Sequence, residues 1–180
     1  MHWSLAVIVK DHKLKIMIRQ TSPDKVRGKF VKYKLGDCLA IKLGNGDYLG
    51  ALMTGKFNAY YNLTFMAFCK QSKPEMVDYE LGQFFGTRFG SWEDLTYAVD
   101  QRMIECHYTD KNPAFEKIGS LNLVSNFISA GYSYLNDIEQ IFEYYKTELP
   151  IRIEKSKNAE KFPAIAFVSK HLIEMKKIMK

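Results

Sequence analysis

Cysteine is scarce in this chain: three in 180 residues, at Cys38, Cys69 and Cys106. An odd number without close pairs excludes the framework of a small disulfide-stapled secreted domain and gives no zinc-ligand spacing. Free cysteines of this kind act as small core residues, and they fit a reducing cytoplasm. Histidine is equally sparse. His2, His12, His107 and His171 have no convergent spacing, whereas a zinc site needs three or four donors, so no metal and no cofactor is expected. Long apolar runs are missing as well. Leu5 to Val9 is followed at once by Lys10-Asp11-His12-Lys13, too short a run for a secretory leader or a bilayer span. No internal repeat, low-complexity tract or targeting segment is visible, and no membrane association is expected.

A large apolar and aromatic content is present instead: 47% hydrophobic and 14% aromatic residues, with 26% charged, which excludes a disordered chain. The net charge of +6 is uneven. Residues 1–60 hold 11 basic and 4 acidic side chains, 61–120 hold 6 and 9, and 121–180 hold 9 and 7. The length suits a single domain over 1–180.

The first two thirds read as short strands. Leu14, Ile16 and Ile18 alternate with Lys13, Lys15 and Arg19, the pattern of a strand with one solvated basic face. Cys38 to Leu43 and Asp47 to Met53 flank Gly44-Asn45-Gly46, where Asn-Gly supplies the positive φ that a tight hairpin demands. Asn62 to Lys70 and Gln101 to His107 read as further strands. Lys73-Pro74 and Lys111-Asn112-Pro113 interrupt pairing. Gly82, Gly86 and Gly90 predict flexible or tightly turned backbone around Phe84, Phe85 and Phe89.

The last third changes period. Ile138, Ile141, Phe142 and Tyr145 fall at i, i+3, i+4 and i+7, with Asn136 and Glu139 as a capping pair, so an amphipathic helix is predicted over 137–147 and Pro150 should end it. Ile151 to Ile153 and Ala164 to Val168 read as short strands, and Glu154 to Lys161 as an exposed loop. Ser169 should then cap a final helix through Met179, with Val168 and Ile173 as its hydrophobic staple. The fold expected is α+β: a curved antiparallel sheet or partly open β-barrel with two C-terminal helices, mainly β over 1–130 and helix-rich over 131–180.

No catalytic constellation emerges. Gly44-Asn45-Gly46 with Gly50 lacks the following helix that a phosphate cradle needs. Glu105 and His107 would share a face of a regular strand, but no nucleophile joins them, since Cys106 would point the other way. Glu93 and Asp94 have no opposing acid. A basic front half with Phe57, Tyr60 and Tyr61 near Lys56 raises nucleic-acid binding as an alternative, through phosphate attraction and base stacking. The lysines at 10, 13, 15, 25, 29, 32 and 34 are, however, dispersed.

The stretch Lys34-Leu-Gly-Asp-Cys-Leu-Ala-Ile-Lys-Leu-Gly-Asn-Gly-Asp-Tyr-Leu-Gly50 carries a glycine and acid, an apolar strand, a glycine-containing turn and an aromatic-glycine strand. In this it resembles the opening signature of the immunity protein 26 family of bacterial polymorphic toxin systems. Gly36, Asp37, Ile41, Leu43, Gly46, Tyr48 and Gly50 carry the match; Cys38 stands where the family would have a plain aliphatic. The resemblance implies a cytoplasmic, non-catalytic protein that neutralises a cognate toxin by direct non-covalent binding. The signature residues themselves read as structural: the glycines shape turns, Ile41 and Leu43 fill a core, and Asp37 bonds a backbone amide. The toxin contact should instead combine aromatics and arginine, for which Tyr60, Tyr61, Arg88 and Trp92 are the candidates. A basic inhibitor should select a toxin with an acidic contact surface, or act away from a nuclease's active site.

Overall fold

The structure is a computed structural model. It describes residues 31–91, 94–124, 128–159 and 170–180, with the backbone alone for 87–91, 94–98, 128–132, 156–159 and 170–171. The strand expected over 14–18, the loop residues Glu160 and Lys161, the strand expected over 164–168, and Val168 and Ser169 lie outside the described residues.

Strands β1 (Asp37–Lys42), β2 (Tyr48–Phe57) and β3 (Tyr60–Lys70) form a meander. A short helix α1 (Met76–Glu80) leads to β4 (Gln83–Ser91) and β5 (Asp94–Glu105). Helix α2 (Cys106–Lys111), β6 (Phe115–Ser120) and β7 (Ile128–Leu135) follow. The chain then runs through α3 (Ile138–Glu143), a π turn over Tyr144–Glu148 and α4 (Leu149–Ala159), and ends in β8 (Lys170–Glu174) and a 3-10 turn over Met175–Lys177. The result is the expected α+β class with helical stretches near the C-terminus. The sheet is open, with strand order β6-β1-β2-β3-β4-β5-β7 and β8 added on β4. It is mixed rather than purely antiparallel, because β7 pairs with β5 in parallel.

The β1–β2 hairpin forms where its turn chemistry predicts, although of Asn45 and Gly46 only the glycine takes a positive φ. Gly46 has φ +92°, and Leu43 N–H donates to the Asp47 carbonyl at 2.8 Å. Because β1 to β3 lie in the middle of the sheet, both faces are covered, and their apolar runs are continuous rather than alternating. Leu39, Ile41, Leu49, Ala51, Met53, Tyr61, Leu63 and Phe65 face one core, which α3, the π turn and α4 close with Ile141, Tyr144 and Leu149. Cys38, Leu52 and Met66 face the other, closed by Tyr79 of α1 and by Leu121, Leu123, Ile173, Met175 and Ile178. Burying an aliphatic side chain of this size contributes roughly 1.5–3 kcal/mol. Gly50 leaves room for this packing: a Cβ there would lie 2.4 Å from the Phe68 ring.

Several expectations are corrected. Residues 170–174 are strand, not the start of a helix, because the free edge of β4 offers backbone partners from Gln83 to Thr87 and Ile173 fills the second core. The segment 82–90 is not loosely turned: after Gly82 it is the regular strand β4. Pro150 does not end the helix, and 151–153 and 154–159 are helical rather than strand and loop. The π turn is the physical reason. Leu149 N–H bonds the Tyr144 carbonyl five residues back, and this wider turn makes room for the proline ring, which would otherwise press on the carbonyl four residues earlier. The helix cap is one residue later than expected. The Asp137 side chain accepts from Gln140 N–H at 2.9 Å, while the Gln140 side-chain oxygen accepts from Asn136 N–H at 2.8 Å. Finally, β5 stops at Glu105, so Glu105 and His107 do not share a strand face.

Candidate protein-contact surface

The signature residues from 34 to 50 are internal supports. Gly36 has φ +88°, and a Cβ there would lie 2.1 Å from the Leu121 carbonyl oxygen. Asp37 is 2% exposed and accepts from Lys34 N–H at 2.9 Å, Ser120 Oγ at 2.7 Å and Lys117 Nζ at 2.6 Å. Ile41 and Leu43 are core. Tyr48 opens β2 half-buried, and Asp47 accepts from the Tyr145 hydroxyl at 3.1 Å, pinning the turn to the π turn.

The residues expected at a partner surface separate. Tyr61 is 1% exposed and belongs to the first core, which corrects its placement on the surface. Its hydroxyl donates to Asp110 Oδ1 at 2.7 Å and accepts from Tyr33 N–H at 3.2 Å. Burial, reinforced by the bond to Asp110, pushes the Tyr61 phenol well above its ordinary value. Arg88 lies on β4 opposite Tyr97, its side chain outside the described set, and Trp92 lies outside the described residues. Tyr60 is half-buried, and there the structure adds neighbours. Phe57 is 62% exposed and pairs directly with Tyr60 across the β2–β3 turn. Tyr60 in turn pairs with Glu105, and Tyr134, 57% exposed, pairs with Met103. Cross-strand partners and residues two apart share a face, so Phe57, Tyr60, Glu105 and Tyr134 form one row over β2, β3, β5 and β7. The Tyr60 and Tyr134 rings meet edge to face, with centroids 5.4 Å apart and planes at 75°. Tyr134 escaped the sequence reading, although Tyr132 and Tyr134 alternate within Gly131 to Leu135; a parallel edge strand far along the chain carries no local cue to its neighbour.

This row differs chemically from the interior. Behind it, Gln101 Nε2 donates to Thr54 Oγ1 at 3.0 Å, and Thr54 Oγ1 to the Asn62 carbonyl at 3.1 Å. Glu105 is exposed, caps α2 only through its backbone, and its carboxylate makes no ion pair among the described residues. The nearest exposed cation on β2, Lys56, is turned to the opposite face, its ammonium 5.7 Å from the Tyr61 ring centroid.

Elsewhere burial favours the protonated form of the cysteine thiols. Burial, then the Asp37 charge, pushes the Cys38 thiol up to about 12, and burial also raises Cys69 and Cys106. His107 Nε2 sits 3.0 Å from Lys111 Nζ on α2. Among the described residues no group of three His, Cys, Asp or Glu side chains converges as metal ligands, and no helix is long and apolar enough to cross a membrane. A cleft of about 390 Å³ opens between α1 and the 3-10 turn, lined by Phe68, Leu81, Gly82, Glu174, Met175 and Lys176. No family model matches the chain, and neither does any curated protein or solved structure.

Proposed function

We propose that the chain is an immunity protein of the cytoplasm: it binds a cognate bacterial toxin non-covalently and neutralises it without catalysis of its own. The reading begins from the likeness of residues 34–50 to the immunity protein 26 signature. The observation that supports it best is the row of Phe57, Tyr60 and Tyr134, two of them more than half exposed, held on paired strands of the sheet. Aromatic residues on a rigid frame offer large buried area at small entropic cost, which is what the centre of a tight protein interface uses. The signature residues serve the frame, and the row serves the contact.

Co-expression with the product of the neighbouring reading frame tests this. Growth arrest by that product should be relieved by the wild-type chain, and the two should co-purify as a stoichiometric complex. Phe57→Ala with Tyr134→Ala should weaken the complex by about 100-fold, in keeping with two aromatic anchors. The alternative, nucleic-acid binding, draws on the basic front of the chain. Seven basic and two acidic residues fall within 1–30, which leaves residues 31–180 at +1. Retention of single-stranded nucleic acid that falls steeply with salt, with no toxin captured, would select it.

A further inference from the structure

The row on β2, β3, β5 and β7 has a chemical preference of its own. The faces of aromatic rings carry the negative end of a quadrupole and attract cations. Glu105 sits in that row, directly opposite Tyr60, as an exposed carboxylate with no ion-pair partner among the described residues. The Tyr60 and Tyr134 rings stand at 75° to one another and form a corner beside it. A purely apolar group pressed into this corner would strip water from the carboxylate without replacing it, and an anion would be repelled by it. A cation satisfies both the rings and the carboxylate. Lys56 does not fill that role, since its ammonium lies over Tyr61 on the other face.

From these contacts we infer that Phe57, Tyr60, Glu105 and Tyr134 form a receptor for an arginine or lysine side chain presented by a protein partner; identifying that partner as the toxin rests on the immunity reading above. The partner charge this surface selects is opposite to the one that the net charge of +6 would select. The excess of positive charge lies within residues 1–30, whereas the sign at the row is set by Glu105.

The test uses the full chain and a defined probe, the peptide amide Gly-Arg-Gly-Arg-Gly, beside the same peptide with neutral citrulline for arginine. The arginine peptide should shift the ring resonances of Tyr60 and Tyr134 and bind about tenfold more tightly than the citrulline peptide. Glu105→Gln, which keeps the side-chain shape, and Tyr134→Ala should each remove that preference and leave the melting temperature unchanged. Equal binding of the two peptides, or an arginine preference that survives both substitutions, would overturn the inference. Capture of the neighbouring toxin is measured on the same proteins. Loss of capture in both variants supports the receptor, and capture undiminished in both sinks it while leaving the immunity reading intact. An arginine preference without any captured toxin removes the immunity reading and leaves the receptor standing.

Discussion

Gly36 and Gly46 share a left-handed backbone but differ in surroundings, and this separates two costs that are usually mixed. At Gly46 no atom lies within 4 Å of a built Cβ, so alanine there meets only the conformational penalty, about 1 kcal/mol. At Gly36 the Cβ would also strike the Leu121 carbonyl oxygen at 2.1 Å, a backbone atom that cannot rotate aside. Gly36→Ala should cost about 3 kcal/mol or more, and Gly46→Ala about a third of that, read from urea midpoints at unchanged slope. Equal losses would refute the crowding at Gly36. The turn at Gly44-Asn45-Gly46 was legible in the sequence because its φ requirement is local. The crowding at Gly36 was not, since Leu121 is far along the chain.

The helical segment from Ile138 to Ala159 turns on one insertion. A proline inside an α-helix ordinarily costs about 3 kcal/mol, but the π turn over Tyr144–Glu148 already gives way at Pro150. Pro150→Ala should therefore change stability by less than about 1 kcal/mol in thermal unfolding. A gain near 3 would mean that the ring is strained. The same segment is tied to the sheet by Arg152, which pairs with Asp100 on β5, bonds the Tyr144 hydroxyl at 3.2 Å and stacks on Phe85 with its guanidinium carbon 4.6 Å from the ring centroid. Both charges are largely buried, their side chains 15% and 10% exposed. Arg152→Ala leaves Asp100 uncompensated and should cost about 3–5 kcal/mol, whereas Asp100→Leu with Arg152→Met should recover most of the loss. A double loss equal to the sum of the Asp100→Leu and Arg152→Met single losses would show that the pair is not coupled. The 3.6 period over 138–145 announced the first part of this segment. Its continuation past Pro150 was hidden, because hydrogen bonding five residues back leaves no mark in composition.

Across the whole molecule the buried phenols and thiol make stability sensitive to alkali. Burial, then the Asp110 charge, lifts Tyr33 to about 12; Cys38 is lifted to about 12, and Tyr61, Tyr79 and Tyr144 are raised further, each chiefly by burial. In the unfolded chain these groups ionise near about 8.5 for the thiol and 10 for the phenols. A folded pKa above the unfolded one means that the folded state holds the proton more tightly. The stabilisation is then complete below about pH 8 and is lost as pH rises toward 12. Tyrosinate absorbance followed with circular dichroism should show these phenols ionising together with unfolding; ionisation of all tyrosines before any loss of structure would contradict the burial. The sequence alone determined the class and the local pieces: the hairpin at 38–53, the strand from 62 to 70 and the helix beginning near 138, all of which rest on turn chemistry or hydrophobic period within one segment. Tertiary structure decided that β7 lies parallel beside β5, that 170–174 joins β4 as a strand, that Tyr61 is core while Tyr60 is half-buried, and that Glu105 pairs with Tyr60 in the row that holds Phe57 and Tyr134. Those outcomes depend on which backbone edges and faces remain open once the other elements have packed, and no single segment encodes them.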